Sequence, residues 1–186
     1  MKSLIIIGPT RSGKTTLAEM ICEKYRFSKI ELDQLVLTFQ EVFPDCGIGN
    51  WVENSEERLA PFIFGWINRL AKKTYRPTRY VMEGCQMDLQ TAFDSIDHEN
   101  VKIVVLGYPG LSPEEALAGI RKNDKYYDWS LKESDERMLW ELREYGIEKS
   151  KCLLSQCETL GIKFIDVGRN RAKKLEEFVK NLETFL

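Results

Sequence analysis

Short apolar runs alternate with longer amphipathic stretches along the whole chain. Five of the runs, Ser3 to Ile7, Lys29 to Leu32, Tyr80 to Glu83, Val101 to Leu106 and Lys163 to Val167, lack a clean polar alternation, and most are rich in Ile and Val. Strands buried on both faces of a parallel sheet read this way. Helical spacing fills the intervals: Leu17, Met20, Ile21 and Tyr25 recur on one face, as do Leu59, Phe62, Ile63, Trp66, Ile67 and Leu70. The last segment shows one stripe of Leu175, Phe178, Val179, Leu182 and Phe185, with Lys173, Lys174, Glu177 and Lys180 on the wet side. A helix there closes the domain.

Local signals place boundaries. Ser112-Pro113-Glu114-Glu115 is a capping box with proline at the first helical position, and Ser130-Leu131-Lys132-Glu133 is a second box, so each predicts a new helix. Between them, Arg121 to Trp129 is polar and aromatic without apolar periodicity, which predicts a loop or lid over about 121–135. Pro44, Asp45, Gly47, Gly49 and Asn50 predict another loop. With the helix that ends near Lys73 it makes an insertion over about 36–77, long enough for a lobe of its own. The remaining segments, 1–35, 78–120 and 160–186, form the core of one domain.

The 186 residues are 43% hydrophobic, enough for a substantial core. Charged residues make up 30% of the chain yet nearly cancel, to a formal charge of −2, so no global field draws it toward nucleic acid or an anionic membrane. Any anion has to be held locally. Leu4 to Ile7 is too short for a signal-peptide core or a membrane span, and a cytoplasmic protein is expected, monomer or homodimer. Five cysteines without a C-x-x-C pair, and one histidine, support neither a disulfide framework nor a zinc site.

Gly8-Pro9-Thr10-Arg11-Ser12-Gly13-Lys14-Thr15 fits G-x-x-x-x-G-K-[ST] at every fixed position, after a predicted strand and before a predicted helix. Glycines let backbone N–H groups turn inward around phosphates, and the helix N-terminus adds partial positive charge. Lys14 is placed to reach the β- and γ-phosphates, and the Thr15 hydroxyl to reach Mg²⁺. ATP and Mg²⁺ are the cofactors this implies, with Gly8, Thr10, Arg11, Ser12, Gly13, Lys14, Thr15 and Thr16 around the phosphates.

The order of strand, phosphate loop, helix and a second strand ending near an acid resembles the P-loop kinases of small molecules, such as adenylate, shikimate, gluconate and uridine kinases. The resemblance spans nearly the whole chain as an order of elements, although only the phosphate loop is a specific motif. It implies a three-layer α/β/α sandwich, a five-stranded parallel sheet of order 2-3-1-4-5, and ATP-dependent phosphoryl transfer to a small-molecule acceptor. In such families an aspartate just after the second strand meets the acceptor hydroxyl or the metal, which points to Asp33 as base. Asp33 reads alternatively as a helix N-cap before Gln34-Leu35. Glu83-Gly84 is similar to the acid-glycine ending of the third strand in nucleoside-kinase-like proteins. Glu83 then orients Mg²⁺ or binds the acceptor, or is a structural strand-end acid, since the usual Walker B residue is an aspartate. Lid arginines are the family pattern, so Arg121 is the catalytic candidate, with Lys122, Lys125 and Arg137 behind it and a merely solvated basic loop as the alternative. Gly168 and Arg169, after the fifth strand, fall where the resembling kinases pack a loop on adenine, or else form an ordinary strand-to-helix turn.

A GTPase reading lacks D-x-x-G and N-K-x-D, and an ATPase reading lacks a clear Walker B strand. A regulatory ATP-binding protein without an acceptor is the third class. For the acceptor, Phe39 to Arg76 and Cys85-Gln86-Met87-Asp88 are expected to line the pocket. Trp51, Trp66, Phe62 and Phe64 stack a nucleobase or serve as core, which makes a nucleoside or nucleotide the leading guess.

Overall fold

The computed structural model describes residues 2–72, 78–123 and 133–186. Five strands, β1 (Ser3–Ile7), β2 (Ser28–Glu31), β3 (Tyr80–Gly84), β4 (Val101–Gly107) and β5 (Lys163–Asp166), form one parallel sheet in the order β2-β3-β1-β4-β5. The expected order and parallel pairing are both present. Strand β1 lies at the centre, and each of its residues is buried.

Alternation along the strands divides the apolar residues between two cores. Leu4 and Ile6 of β1, with Val104 and Leu106 of β4, face α1 (Lys14–Tyr25), α5 (Pro113–Asn123), α6 (Asp135–Glu141), α8 (Arg171–Lys180) and α9 (Leu182–Phe185). Ile5 and Ile7, with Ile103 and Val105, face α2 (Leu32–Val42), α3 (Ser55–Ala71), α4 (Leu89–Ser95) and α7 (Glu148–Leu160). This is the three-layer arrangement, with the sheet as the wall common to both cores.

Several boundaries differ from the sequence expectation. Leu32 opens α2 instead of ending β2, and Glu31 takes the N-cap position, so Asp33 is not the N-cap but lies in the first helical turn. Its charge there suits the helix dipole. Ser130 lies outside the described residues, and the described helix after it starts at Asp135, capped by Ser134 Oγ, which accepts from Arg137 N–H at 3.2 Å. Asp135 and Glu136 in the first turn favour that start. The box at Ser112 forms as expected: Ser112 N–H donates to Glu115 Oε2 at 2.8 Å and Glu115 N–H to Ser112 Oγ at 3.2 Å. The last helix breaks at Asn181. Helix α3 buries Leu59, Ala60, Ile63, Phe64 and Ile67, a stripe rotated from the expected one, leaving Phe62 exposed. Between α6 and α7 the chain makes a π turn over Leu142–Ile147, an arrangement that often marks a functional site.

Candidate active site

Parallel sheets gather ligands beyond the carboxyl ends of their strands, and here three such ends converge. The loop after β1 runs through Gly8 to Gly13, where Gly13 has φ 90° and opens α1. Ser12 is fully buried, while Thr15 and Thr16 are exposed on the first turn of α1. Lys14 is only 8% exposed, and its ammonium donates to the Pro9 carbonyl at 2.9 Å. The next two carbonyls are also taken by distant donors: Tyr108 Oη donates to Thr10 O at 2.8 Å, and Arg171 Nη1 to Arg11 O at 3.2 Å. Neither Tyr108 nor Arg171 carries a sequence signal, since they lie 98 and 160 residues from their partners.

Strand β3 pairs with β1 so that Ile6 lies opposite Glu83 and Ile7 opposite Gly84, which sets Glu83 beside the phosphate loop. Thr15 Oγ1 donates to Glu83 Oε1 at 2.9 Å. Glu83 is only 5% exposed, and burial raises its pKa; the Thr15 hydrogen bond and the Lys14 charge oppose the rise, while the Asp33 and Glu31 charges add to it. Asp33 approaches from the neighbouring strand end and accepts from Gln86 Nε2 at 2.6 Å. Asp33 and Glu83 therefore share one crevice. Gly84 is required at their junction, because a Cβ would stand 2.8 Å from Leu32 Cβ and 2.9 Å from Gln86 Oε1. The Cys85 thiol, its pKa raised by burial, feels the charges of Lys14, Asp33, Lys149 and Glu56, so the N-terminal ends of α3 and α7 face the same space. Just beyond is a cavity of about 360 Å³ lined by Met87, Asp88, Glu144, Glu148, Lys149 and Cys152, among others.

On the other side of the loop a cavity of about 240 Å³ is lined by Arg11, Tyr108, Leu111, Ile120, Gly168 and Arg171, among others. Gly168 is where a base-packing residue was expected. Arg169 is exposed and is not among the lining residues, whereas Arg171, two positions on, is. Arg121 reaches across to the start of α6, with Nη2 2.8 Å and Nε 3.2 Å from Asp135 Oδ1 and Nη2 3.0 Å from Glu133 O. Lys122 is exposed, Lys125 lies outside the described residues, and the Arg137 guanidinium lies 5.4 Å from the centre of the Trp140 ring.

The Thr15 hydroxyl and Glu83 carboxylate form a hard-oxygen set next to the lysine of a phosphate loop, a donor chemistry that fits Mg²⁺. Sheet order and loop together are those of a P-loop fold. No protein-family model and no curated protein matches the sequence. Solved structures do match in fold. A shikimate kinase from Bacteroides thetaiotaomicron superimposes with a TM-score of 0.58 at 16% identity, over 99% of this chain and 97% of that one. A gluconokinase from Sinorhizobium meliloti 1021 gives 0.57 at 14% identity, over 99% and 97%. A shikimate kinase from Acinetobacter baumannii in complex with shikimate gives 0.54 at 14% identity, over 100% and 94%. At such identities the likeness is one of fold.

Proposed function

We propose that this chain is an ATP-dependent phosphotransferase that moves the γ-phosphoryl group of ATP to a hydroxyl of a small molecule. The observation that carries the reading is the pair of carboxylates at adjacent strand ends: Glu83 is tied to the loop threonine, and Asp33 is held by Gln86 facing the same crevice. A protein that only binds nucleotide needs the first and has no use for the second.

In this reading the backbone amides from Gly8 to Lys14 cradle the phosphates, and Lys14 leaves the Pro9 carbonyl for the β- and γ-phosphate oxygens. Thr15 would hold Mg²⁺, with Glu83 as the residue that orients it, on the side chain or through water. Held there, Mg²⁺ would supply neutralisation of the phosphate charge. Asp33 accepts the proton of the acceptor hydroxyl, positioned by Gln86. Arg121 is the lid cation, which exchanges Asp135 for the transferring group. Gly168 and Arg171 border the base, and Arg169 stays outside. The segment 36–77 and the cavity beside Met87 and Asp88 receive the acceptor.

The acceptor we infer is a small polyhydroxylated compound, of the class named by the gluconokinase and shikimate kinase neighbours. Of the four aromatic residues expected to stack a nucleobase, Phe64 is 2% exposed in the core, and Phe62 and Trp66 pack on each other at 5.8 Å. Trp51 is 73% exposed and meets Tyr145 edge-on at 5.8 Å, so it is the residue on which a nucleoside reading stands. The test is ADP release from ATP and Mg²⁺ over a panel of sugar acids, cyclic polyols and nucleosides. A polyhydroxylated acid or polyol should raise it well above background, and Lys14→Ala should abolish the increase. ATP binding with no acceptor response across the panel would leave the regulatory reading in its place.

A further inference from the structure

A phosphate loop binds through its amides, yet each amide shares a peptide unit with a carbonyl whose oxygen repels phosphate. Binding therefore requires that the carbonyls be turned outward and kept there. In this chain Pro9, Thr10 and Arg11 present three successive carbonyls, and each has a donor of its own: Lys14, Tyr108 and Arg171. Lys14 is needed at the phosphates. Tyr108 and Arg171 stay behind.

Tyr108 is well placed to hold that position. It follows directly on β4, is 4% exposed, and its own N–H donates to Ser150 Oγ at 3.0 Å. Ser150 Oγ in turn donates to Gly146 O at 2.7 Å, in the π turn after the lid. Gly146 lies directly against the phenol, so that a Cβ there would stand 2.5 Å from Tyr108 Oη and 3.2 Å from Cε2 and Cζ. Burial and the Glu141 charge hold the phenol proton on, against the opposing pull of Arg11 and Arg171, so the group remains a donor at ordinary pH.

We infer that Tyr108 is a positioning residue of the phosphate loop: its hydroxyl, seated by the glycine of the π turn, holds the Thr10 carbonyl outward, with Arg171 doing the same for Arg11. This rests on the reading of Gly8 to Thr15 as a nucleotide site.

The test is ADP affinity by titration calorimetry for the wild type, Tyr108→Phe, Gly146→Ala and the double variant, with folding checked by circular dichroism. One hydrogen bond of this kind predicts about a fivefold loss of ADP affinity in Tyr108→Phe. Gly146→Ala, which displaces the phenol, should show a similar loss, and the double variant should lose no more than either alone. Affinity for adenosine, which has no phosphate to reach the loop, should stay at the wild-type value. A wild type that binds no ADP would remove the nucleotide site and this inference together. A wild type that binds, with Tyr108→Phe unchanged, would remove the inference alone. So would fully additive losses, or an equal loss for adenosine, which would make the ring a cavity wall. If Tyr108→Phe does not fold, Gly146→Ala alone gives the same reading, by displacing the phenol from the Thr10 carbonyl.

Discussion

Adding one methyl group at Gly84 tests the acceptor side of the site without removing a polar group. In Gly84→Ala the new Cβ would stand 2.8 Å from Leu32 Cβ, 2.9 Å from Gln86 Oε1 and 3.1 Å from Leu32 Cδ1. Carbon atoms in contact settle at about 3.5–4.0 Å, so Leu32 must retreat by roughly 0.7–1.2 Å. Leu32 is fully buried and opens α2 next to Asp33, so it cannot swing into solvent. Gln86, the other neighbour, is the donor to Asp33 Oδ1. Both supports of Asp33 therefore move together. Overpacking of this kind costs about 1–3 kcal/mol, and a chain of this size loses about 2–4 °C of melting temperature per kcal/mol, so the melting point should fall by about 2–12 °C. A displacement near 1 Å at a reacting group costs roughly a hundredfold, so kcat should fall far more than stability does, with ADP affinity within about twofold of wild type. Thermal melts, steady-state kinetics with the acceptor that scores in the panel, and ADP titration measure the three quantities. A variant with a lowered melting point and wild-type kcat would refute the placement of Asp33 at the reacting hydroxyl, and an unchanged melting point would refute the close approach itself.

Glu83→Gln should raise the melting point of the nucleotide-free protein at pH 8: the folded-state pKa of Glu83 is raised, so its ionised form weakens the fold above that pKa. The gain should shrink as pH falls through the folded pKa and vanish below the ordinary glutamate value of 4.5, as melts across that range will show; a pH-independent gain would count against the assignment. The same variant should lose about 10–100-fold in Mg²⁺-dependent turnover, because the acid that orients the Thr15 hydroxyl loses its charge. Asp33→Asn should lower kcat by about 10²–10⁴ with ADP affinity unchanged, and an unchanged kcat would remove Asp33 as base.

What the sequence made legible was contiguous. The phosphate loop and β1 are each set by adjacent residues whose chemistry leaves few alternatives, and they lie where the pattern put them. Asp33 and Glu83 could be picked out because strand ends in a parallel sheet face one crevice, whereas their shared environment became visible only once β2 and β3 were paired. Tyr108 and Arg171 were hidden for the opposite reason. Each acts on a backbone carbonyl, which any residue offers, so neither the acceptor nor the distance between partners leaves a pattern. The face of α3 was misread because Phe62 and Trp66 outweigh Ala60 in an apolar stripe, while packing against the sheet favoured the smaller side chain. The π turn is equally silent: within it Gly146 lies against Tyr108, a contact between distant residues that leaves no local pattern.

The two apolar cores share the sheet, but among the described residues no buried side chain belongs to both. In the proposed function, the helices beside the base and phosphates, α1, α5 and α8, pack into one, and α2, α3 and α4, next to the acceptor, into the other. Substitutions that reshape the second layer are thereby insulated from the first. Under the proposed function, such a molecule would exchange one acceptor for another over evolutionary time while its grip on the phosphate donor is inherited intact.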